Sequence, residues 1–274
     1  MKIKGPLHGE QARGRTGGVT FRMYRGQPQV STAKLYGCRR PKKIHVFDPR
    51  EIQGLYQWGN SQRGLTIVAV GETKEVSKAE DLSGNGRHLN APSAGTRMRL
   101  IESSPQAKGY PYLWGVASLD RLRYDGSLAT VAQPFEVFLV MNTHEGAVDD
   151  ACGMALRTSG RQGVIQMEGA GVKIELRMSS HKDFAGDPKE KPMVWDCLFK
   201  GALSRLWWNR IEQIGDGNTG ATALNAISIG DTYDGGFPGF HHYYEWMIYK
   251  RELSDIERAE ANAAMMLKYG LSGT

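Results

Sequence analysis

Short apolar segments separated by turn-forming residues constrain the fold of this chain more than any other feature. Segments rich in β-branched and aromatic residues alternate with clusters of glycine, aspartate and asparagine, and glycine accounts for 34 of the 274 residues. Strand candidates lie at 65–70, 121–124, 135–141, 163–167, 172–178, 193–195, 205–208, 226–229 and 243–249. Many strands joined by such turns are typical of an all-β sandwich or barrel. The mainly apolar run at 65–70 (LTIVAV) predicts a buried strand.

A single helix is predicted near the C-terminal end. Ser254 and Glu257 have the spacing of a capping box, in which each side chain accepts a hydrogen bond from the backbone amide of the other residue. Gly270 is a natural stop, because glycine adopts the left-handed conformation at a helix end with little strain. Apolar side chains recur between them at helical spacing: Ile256, Ala259, Ala263, Met266 and Leu267. This stripe predicts the face of the helix that packs on the sandwich.

The N-terminal end carries a strong excess of positive charge. Residues 1–50 contain 12 Lys or Arg and 2 Asp or Glu, a net charge of +10, whereas the whole chain has +6. Residues 1–43 are also rich in glycine and proline, and their strand candidates, at 18–24 and 29–31, predict only a hairpin, which is marginally stable alone. We therefore divide the chain into an extended basic N-terminal arm at 1–43 and a domain at 44–274.

The arm has the composition of a segment that binds a partner. Arginine pairs well with carboxylates and phosphates, and the interspersed aromatic side chains favour docking on protein over a solvated tail. The predicted partner-binding residues are Arg13, Arg15, Phe21, Arg22, Tyr24, Arg25, Tyr36, Arg39, Arg40, Lys42 and Lys43. Binding of nucleic acid is the less favoured alternative, because the arm is partly apolar and the rest of the chain is slightly acidic.

Composition and cysteine spacing argue against several other classes. The three cysteines share no CxxC spacing, so a disulfide scaffold or a structural zinc site is not expected. The N-terminal residues contain no apolar signal-peptide core, and no run approaches the ~18 apolar residues of a membrane span. We expect a protein made in a reducing cytoplasm, with no cofactor, no bound metal and no membrane partner.

Two loops carry oxygen-bearing side chains that are candidates for binding calcium or a glycan. The candidates are Asp81 and Asn85 in one loop, and Asp231 and Asp234 in the other. Sandwich proteins hold calcium with such groups, but the same residue types build turns without any ligand, and turn-building is the favoured interpretation.

Histidine and tryptophan residues offer a further choice between ligand binding and packing. His241 and His242 are adjacent, so a strand would point them to opposite faces, and we expect no metal site there. The tryptophans at 114, 195, 207, 208 and 246 could form a platform for stacking sugars, although core packing is favoured for most of them.

The C-terminal segment resembles a known family of β-sandwiches. Residues 240–262 contain a last strand candidate and the start of the helix, with the sequence EWMIYKRELSDIER, and KYGL follows at 268–271. This segment resembles the C-terminal signature of concanavalin-A-like/laminin-G-like domains. The DLSGNG loop at 81–86 and the opening segment at 47–58 agree with this family. The resemblance implies a two-sheet antiparallel jelly-roll sandwich with one short C-terminal helix.

Concanavalin-A-like folds include glucanases, which use two or three carboxylates about 5–9 Å apart. No E-x-D-x-E run is present, and the nearest set of carboxylates, Glu252, Asp255 and Glu257, falls in the helix cap. The sequence therefore predicts no enzymatic activity.

The arm adds a second resemblance. The segment ARGRTGGVTF at 12–21, followed by YRGQ at 24–27, looks like the opening of some bacteriophage structural proteins. Together the two resemblances imply a structural protein of the phage virion, assembled in the host cytoplasm. The favoured hypothesis is a capsid decoration protein whose partners are the major capsid protein, other virion proteins and copies of itself. The alternative is a carbohydrate-binding module of a tail or fibre adhesin.

Overall fold

The chain forms two compact units, Met1–Val46 and Phe47–Thr274. In the larger unit the computed structural model describes residues 47–116, 119–143, 151–158, 164–168, 173–177, 181–185, 191–213, 218–231, 233, 239 and 241–271. In the smaller unit it describes three strands, β1 (Arg13–Thr16), β2 (Val19–Tyr24) and β3 (Gln27–Thr32). The charge divides between the units: residues 1–46 carry a net +10 and residues 47–274 a net −4.

The three N-terminal strands form an antiparallel sheet in the order β1–β2–β3. The pairing of β2 with β3 confirms the predicted hairpin, and β1 adds a strand that the sequence did not indicate. This part of the segment is therefore a small sheet and not simply an extended chain.

The larger unit contains β4 (Leu55–Asn60), β5 (Leu65–Val70), β6 (Thr73–Ala79), β7 (Leu89–Asn90), β8 (Met98–Ile101), β9 (Tyr112–Trp114), β10 (Leu122–Arg123), β11 (Phe135–Thr143), β12 (Ala151–Ala155), β13 (Val164–Glu168), β14 (Lys173–Arg177), β15 (His181–Ala185), β16 (Met193–Phe199), β17 (Arg205–Trp208), β18 (Ile211–Glu212), β19 (Ser228–Ile229), β20 (His241–Tyr249) and α1 (Asp255–Tyr269). Short 3-10 helices lie at Pro49–Glu51, Ala94–Thr96, Pro105–Ala107 and Gly201–Leu203. The strand pairings are antiparallel and join all seventeen strands in one hydrogen-bonded network. The predicted all-β antiparallel class with one C-terminal helix is confirmed. The described part of the chain contains no helix that is long and apolar enough to cross a membrane.

Strand β11 shows how the core is divided between two faces. Val137 and Leu139 point into a cluster that includes Leu89, Leu122 and Ile229 from other strands. Phe138, one position along, points to the opposite face, into the cluster between the strands and helix α1. Period-two alternation on a strand buried on both sides explains why its sequence is almost continuously apolar.

Helix α1 begins and ends where the sequence predicts. Ser254 Oγ accepts from the amide of Glu257, and the carboxylate of Glu257 accepts from the amide of Ser254 at 2.9 Å. The pKa of Glu257 falls to about 2. The main cause is its hydrogen-bonded ion pair with Arg251, and the hydrogen bond from the amide of Ser254 is the second cause. Gly270 closes the helix in the left-handed conformation, with φ of 71°.

The predicted buried stripe of this helix is wrong. Ile256 and Leu267 are largely exposed, and the buried face consists of Arg258, Ala261, Asn262, Met265 and Tyr269. The strands beneath the helix carry carboxylates, so charged and polar helix residues are buried there as their partners.

The prediction that 65–70 is a buried strand is also wrong. Strand β5 pairs with β6, which is the only strand ladder that it forms among the described residues; the isolated bridge between Asn60 and Arg63 lies just before it. Ile67 and Val70 are 49% and 45% exposed. An apolar run does not distinguish a central strand from an edge strand, because pairing is set by the rest of the fold.

Candidate functional site

The residues predicted in the arm fall partly within the small N-terminal sheet. Arg13 and Arg15 lie in β1, and Phe21, Arg22 and Tyr24 lie in β2. The register places Arg13 opposite Arg22, and Phe21 opposite Gly14 and Val30. The remaining predicted residues, Arg25, Tyr36, Arg39, Arg40, Lys42 and Lys43, lie outside the described residues.

The loop that contains Asp81 and Asn85 is built around its own side chains. One oxygen of Asp81 accepts from the amide of Trp58 at 3.1 Å and from the Ser83 hydroxyl at 2.6 Å. The other accepts from the amide of Arg87 at 2.9 Å. Asn85 Nδ2 donates to backbone carbonyls of β4. These contacts are those of a turn-building carboxylate and amide.

Among the described residues, the second candidate loop does not join the first in a cation site. Asp231 is buried, and its carboxylate lies 3.3 Å from the guanidinium of Arg121. Asp234 lies outside the described residues. Within the part of the chain that the structure describes, no group of three or more His, Cys, Asp or Glu side chains is placed to hold a metal ion.

Three carboxylates lie on the sheet face that helix α1 covers, and we call Glu136, Asp196 and Glu245 the acid cluster. They come from β11, β16 and β20, which are neighbouring strands, and all three are buried. The sequence analysis did not predict this cluster, because it considered only carboxylates that alternate along one strand. A single carboxylate within each of three otherwise apolar strands could have indicated it.

Helix α1 supplies the partners of the acid cluster. Arg258 Nε donates to Glu136 at 2.7 Å and lies 3.7 Å from Asp196. Asn262 Nδ2 donates to Asp196 at 2.8 Å.

Glu245 has a separate set of donors. It accepts from Trp58 Nε1 and from Lys268 Nζ, each at 2.8 Å, and from the Tyr269 hydroxyl at 3.0 Å. The acid cluster therefore fixes the helix on the sheet from its first turn to its last.

Burial changes the protonation of one carboxylate of the acid cluster. Burial raises the pKa of Asp196 well above its usual range, and the neighbouring charge of Glu136 raises it further. The neutral, protonated form of Asp196 is thus favoured beneath helix α1. A buried carboxyl group with a raised pKa is also the kind of group that acid–base catalysis uses.

A patch of aromatic side chains continues the same sheet face beyond the C-terminal end of α1. We call Tyr110, Tyr112, Trp114 and His242 the aromatic patch, and each of these side chains is half-buried. The rings of Tyr112 and His242 are 4.2 Å apart between centroids, and Trp114 meets His242 edge-on at 5.7 Å.

Buried tyrosines support the aromatic patch from below. The ring of Tyr244 lies 5.6 Å from that of Tyr112, and Tyr269 lies 5.2 Å from Tyr110. Nearby, Asn142 Nδ2 donates to Gln106, while its buried Oδ1 has no hydrogen-bond partner within the described residues. Rigid aromatic faces beside amide groups form a surface on which a sugar ring can stack and hydrogen-bond.

The predicted orientation of the two histidines, and the predicted core packing of most of the tryptophans, are confirmed. His241 and His242 point to opposite faces, and only His242 reaches the surface. Trp195, Trp207 and Trp246 are buried, whereas Trp114 and Trp208 are half-buried.

Comparison with solved structures supports a jelly-roll-like β-sandwich. A GH54 α-L-arabinofuranosidase soaked with a cyclic sulfate inhibitor aligns with a TM-score of 0.56 at 15% identity, over 79% of this chain and 59% of that one. An arabinofuranosidase complexed with arabinofuranosyl-α-1,2-xylobiose gives 0.55 at 14% over the same shares. The binding domain of Paraclostridial Mosquitocidal Protein 1 gives 0.52 at 11%, over 78% of this chain and 52% of that one.

These similarities define the fold class and nothing narrower. The chain spans less than two thirds of the length of each of these proteins. No family model matches it, and no curated protein does.

The similarity to glycoside hydrolases contradicts the prediction that the chain is non-enzymatic. That prediction rested on the lack of an alternating run of carboxylates along one strand. The acid cluster shows that this fold can also gather carboxylates from neighbouring strands. The missing run was therefore insufficient ground for excluding catalysis.

Proposed function

We propose that this chain is a structural protein of a bacteriophage virion that decorates the capsid, held to the shell by its basic N-terminal unit. The observation that carries the proposal is the division of charge between two units, +10 on residues 1–46 and −4 on residues 47–274. The sequence resemblances of the arm and of the C-terminal segment support a phage origin. In this proposal the larger unit is a two-sheet jelly-roll sandwich that lies on the outside of the shell.

Multivalency provides the mechanism of decoration. Arginines of the N-terminal unit pair with carboxylates of capsid proteins, and each such contact is weak when exposed to solvent. A shell presents many copies of the acidic surface, so neighbouring contacts add up to strong retention. Binding to assembled shells should consequently be much tighter than binding to free capsid subunits.

The first experiment measures the copy number of the protein in purified particles by quantitative mass spectrometry against the major capsid protein. A decoration protein should be present at parity with the capsid protein or at a simple fraction of it. Charge reversal at Arg13, Arg15 and Arg22 should lower this occupancy about tenfold or more, because it reverses the electrostatic attraction to the shell.

The matched control reverses three exposed charges of the larger unit, Arg99, Arg210 and Lys250, and should leave the occupancy unchanged. A few copies per particle would contradict decoration and place the protein in the tail. Absence from particles would contradict a virion role altogether.

A second candidate function, glycan binding by a tail or fibre module, is favoured by the aromatic patch. Replacing Tyr112 or His242 by alanine should weaken binding of an oligosaccharide about tenfold, or ~1.4 kcal/mol, because each variant removes a stacking face. Titration calorimetry against a panel that includes arabinofuranosyl-substituted xylo-oligosaccharides measures this change.

The control for this prediction is Tyr233→Ala, which removes a half-buried tyrosine from a different loop. Binding that is lost equally in all three variants, or that none of them alters, would rule out the aromatic patch as the glycan site.

A further inference from the structure

Strand β5 is an apolar edge that lacks several of the usual protections against pairing with another chain. Its six residues, LTIVAV, include no charged residue and no proline, and Ile67 and Val70 are about half exposed. Natural edge strands are commonly protected by lysine, proline or a covering element. The pairing with β6 contains one bulge, between Thr66 and Ile67. No strand ladder is formed along the other edge of β5 among the described residues, and the isolated bridge of Arg63 with Asn60 lies just before the strand.

We propose that β5 is a self-association surface, at which two copies of this chain pair their β5 strands antiparallel about a two-fold axis. The flanking charges indicate a second copy as the partner. Arg63 precedes β5 and Glu72 follows it, and both are exposed. Antiparallel pairing brings the Arg63 end of one strand beside the Glu72 end of the other, and the symmetry forms this contact twice.

A cavity beside the strand gives the partner's apolar side chains a place to pack. It has a volume of about 310 Å³, and its lining includes Leu65, Ile67, Leu100 and Pro111, with Arg63 and Glu102 at its polar side. Main-chain hydrogen bonds along the edge supply affinity, and the apolar side chains supply burial. A partner with a charged strand would place unpaired charges against these apolar groups, which disfavours it.

Sedimentation velocity of the full chain over a series of concentrations tests the proposal. We expect a reversible dimer, and we expect Ile67→Lys to raise its dissociation constant at least about tenfold, because two lysines would face each other across the axis. The matched control is Ile211→Lys on β18, a residue that is 46% exposed, and it should leave the dissociation constant unchanged.

A charge exchange separates this surface from any association through the N-terminal unit. Arg63→Glu and Glu72→Arg should each weaken the dimer, and the double variant should restore it. A monomer at every concentration would overturn the proposal. A dimer that Ile67→Lys leaves intact, or one that the charge exchange does not restore, would overturn it as well. Tryptophan fluorescence verifies that each variant is folded, because all six tryptophans lie in the larger unit.

Discussion

Arg258→Ala is expected to lower the free energy of unfolding of the larger unit by about 3–5 kcal/mol, because it leaves the buried side chain of Glu136 without its charged partner. Arg258 bonds to Glu136 and lies close to Asp196, and its guanidinium also stacks over the ring of Trp207 at 4.4 Å. The variant therefore loses an ion pair and the packing that holds α1 on the sheet. Urea unfolding followed by tryptophan fluorescence measures the change in midpoint.

Acidic pH should reduce the effect of this substitution. The charge of Arg258 lowers the pKa of Asp196, which burial raises; without Arg258 the folded-state pKa of Asp196 is expected to rise further above its unfolded value, so the folded variant binds more protons than the unfolded chain. Its stability then falls as pH rises, and the gap from the wild type is largest near neutral pH.

The control is Arg251→Ala, which breaks the partly exposed pair with Glu257 and should cost ~1 kcal/mol or less. Two results would show that the ion pair of Arg258 with the acid cluster does not hold helix α1 on the sheet. One is an equal loss of stability in the two variants, and the other is a stability difference from the wild type that does not depend on pH.

The acid cluster also marks the limit of what the sequence predicts about this fold. The ends of α1 were predictable because the capping residues act locally: Ser254 and Glu257 bond to each other's backbone amide, and Gly270 adopts the left-handed conformation. The buried face of α1 was not, because Arg258 and Asn262 are buried only where Glu136 and Asp196 lie beneath them. That pairing joins residues more than sixty positions apart, and no local pattern encodes it.

Strand β5 and the aromatic patch illustrate the same limit in other forms. The residues at 65–70 suit a strand, but edge or centre is decided by which strands come beside it. Tyr112 and His242 become neighbours only because β9 pairs with β20. By contrast, the sequence alone was enough to favour a turn-building role for Asp81 and Asn85. The bonds of these two residues lie within one loop and the adjoining strand, so they depend little on distant parts of the chain.

Gly59→Ala is expected to destabilise the larger unit by about 1–3 kcal/mol, because a methyl group at this position meets a buried ring. Gly59 lies opposite Trp246 in the pairing of β4 with β20, and a Cβ atom built on it would lie 2.6 Å from Cε2 of Trp246. The indole is fully buried, and in a close-packed interior a rigid ring system moves only if its neighbours also move. Gly95→Ala is the matched control, since no atom lies within 4 Å of its added methyl group, and it should be close to neutral.

A double-mutant cycle with Trp246→Phe identifies the cause of this destabilisation. The smaller ring leaves room for the methyl group, so Gly59→Ala should cost much less in the Trp246→Phe background than in the wild type. Urea midpoints of the four proteins give the coupling energy directly. Additive losses would show instead that glycine is required at position 59 for the backbone of β4, and that the contact with Trp246 is not the reason for it.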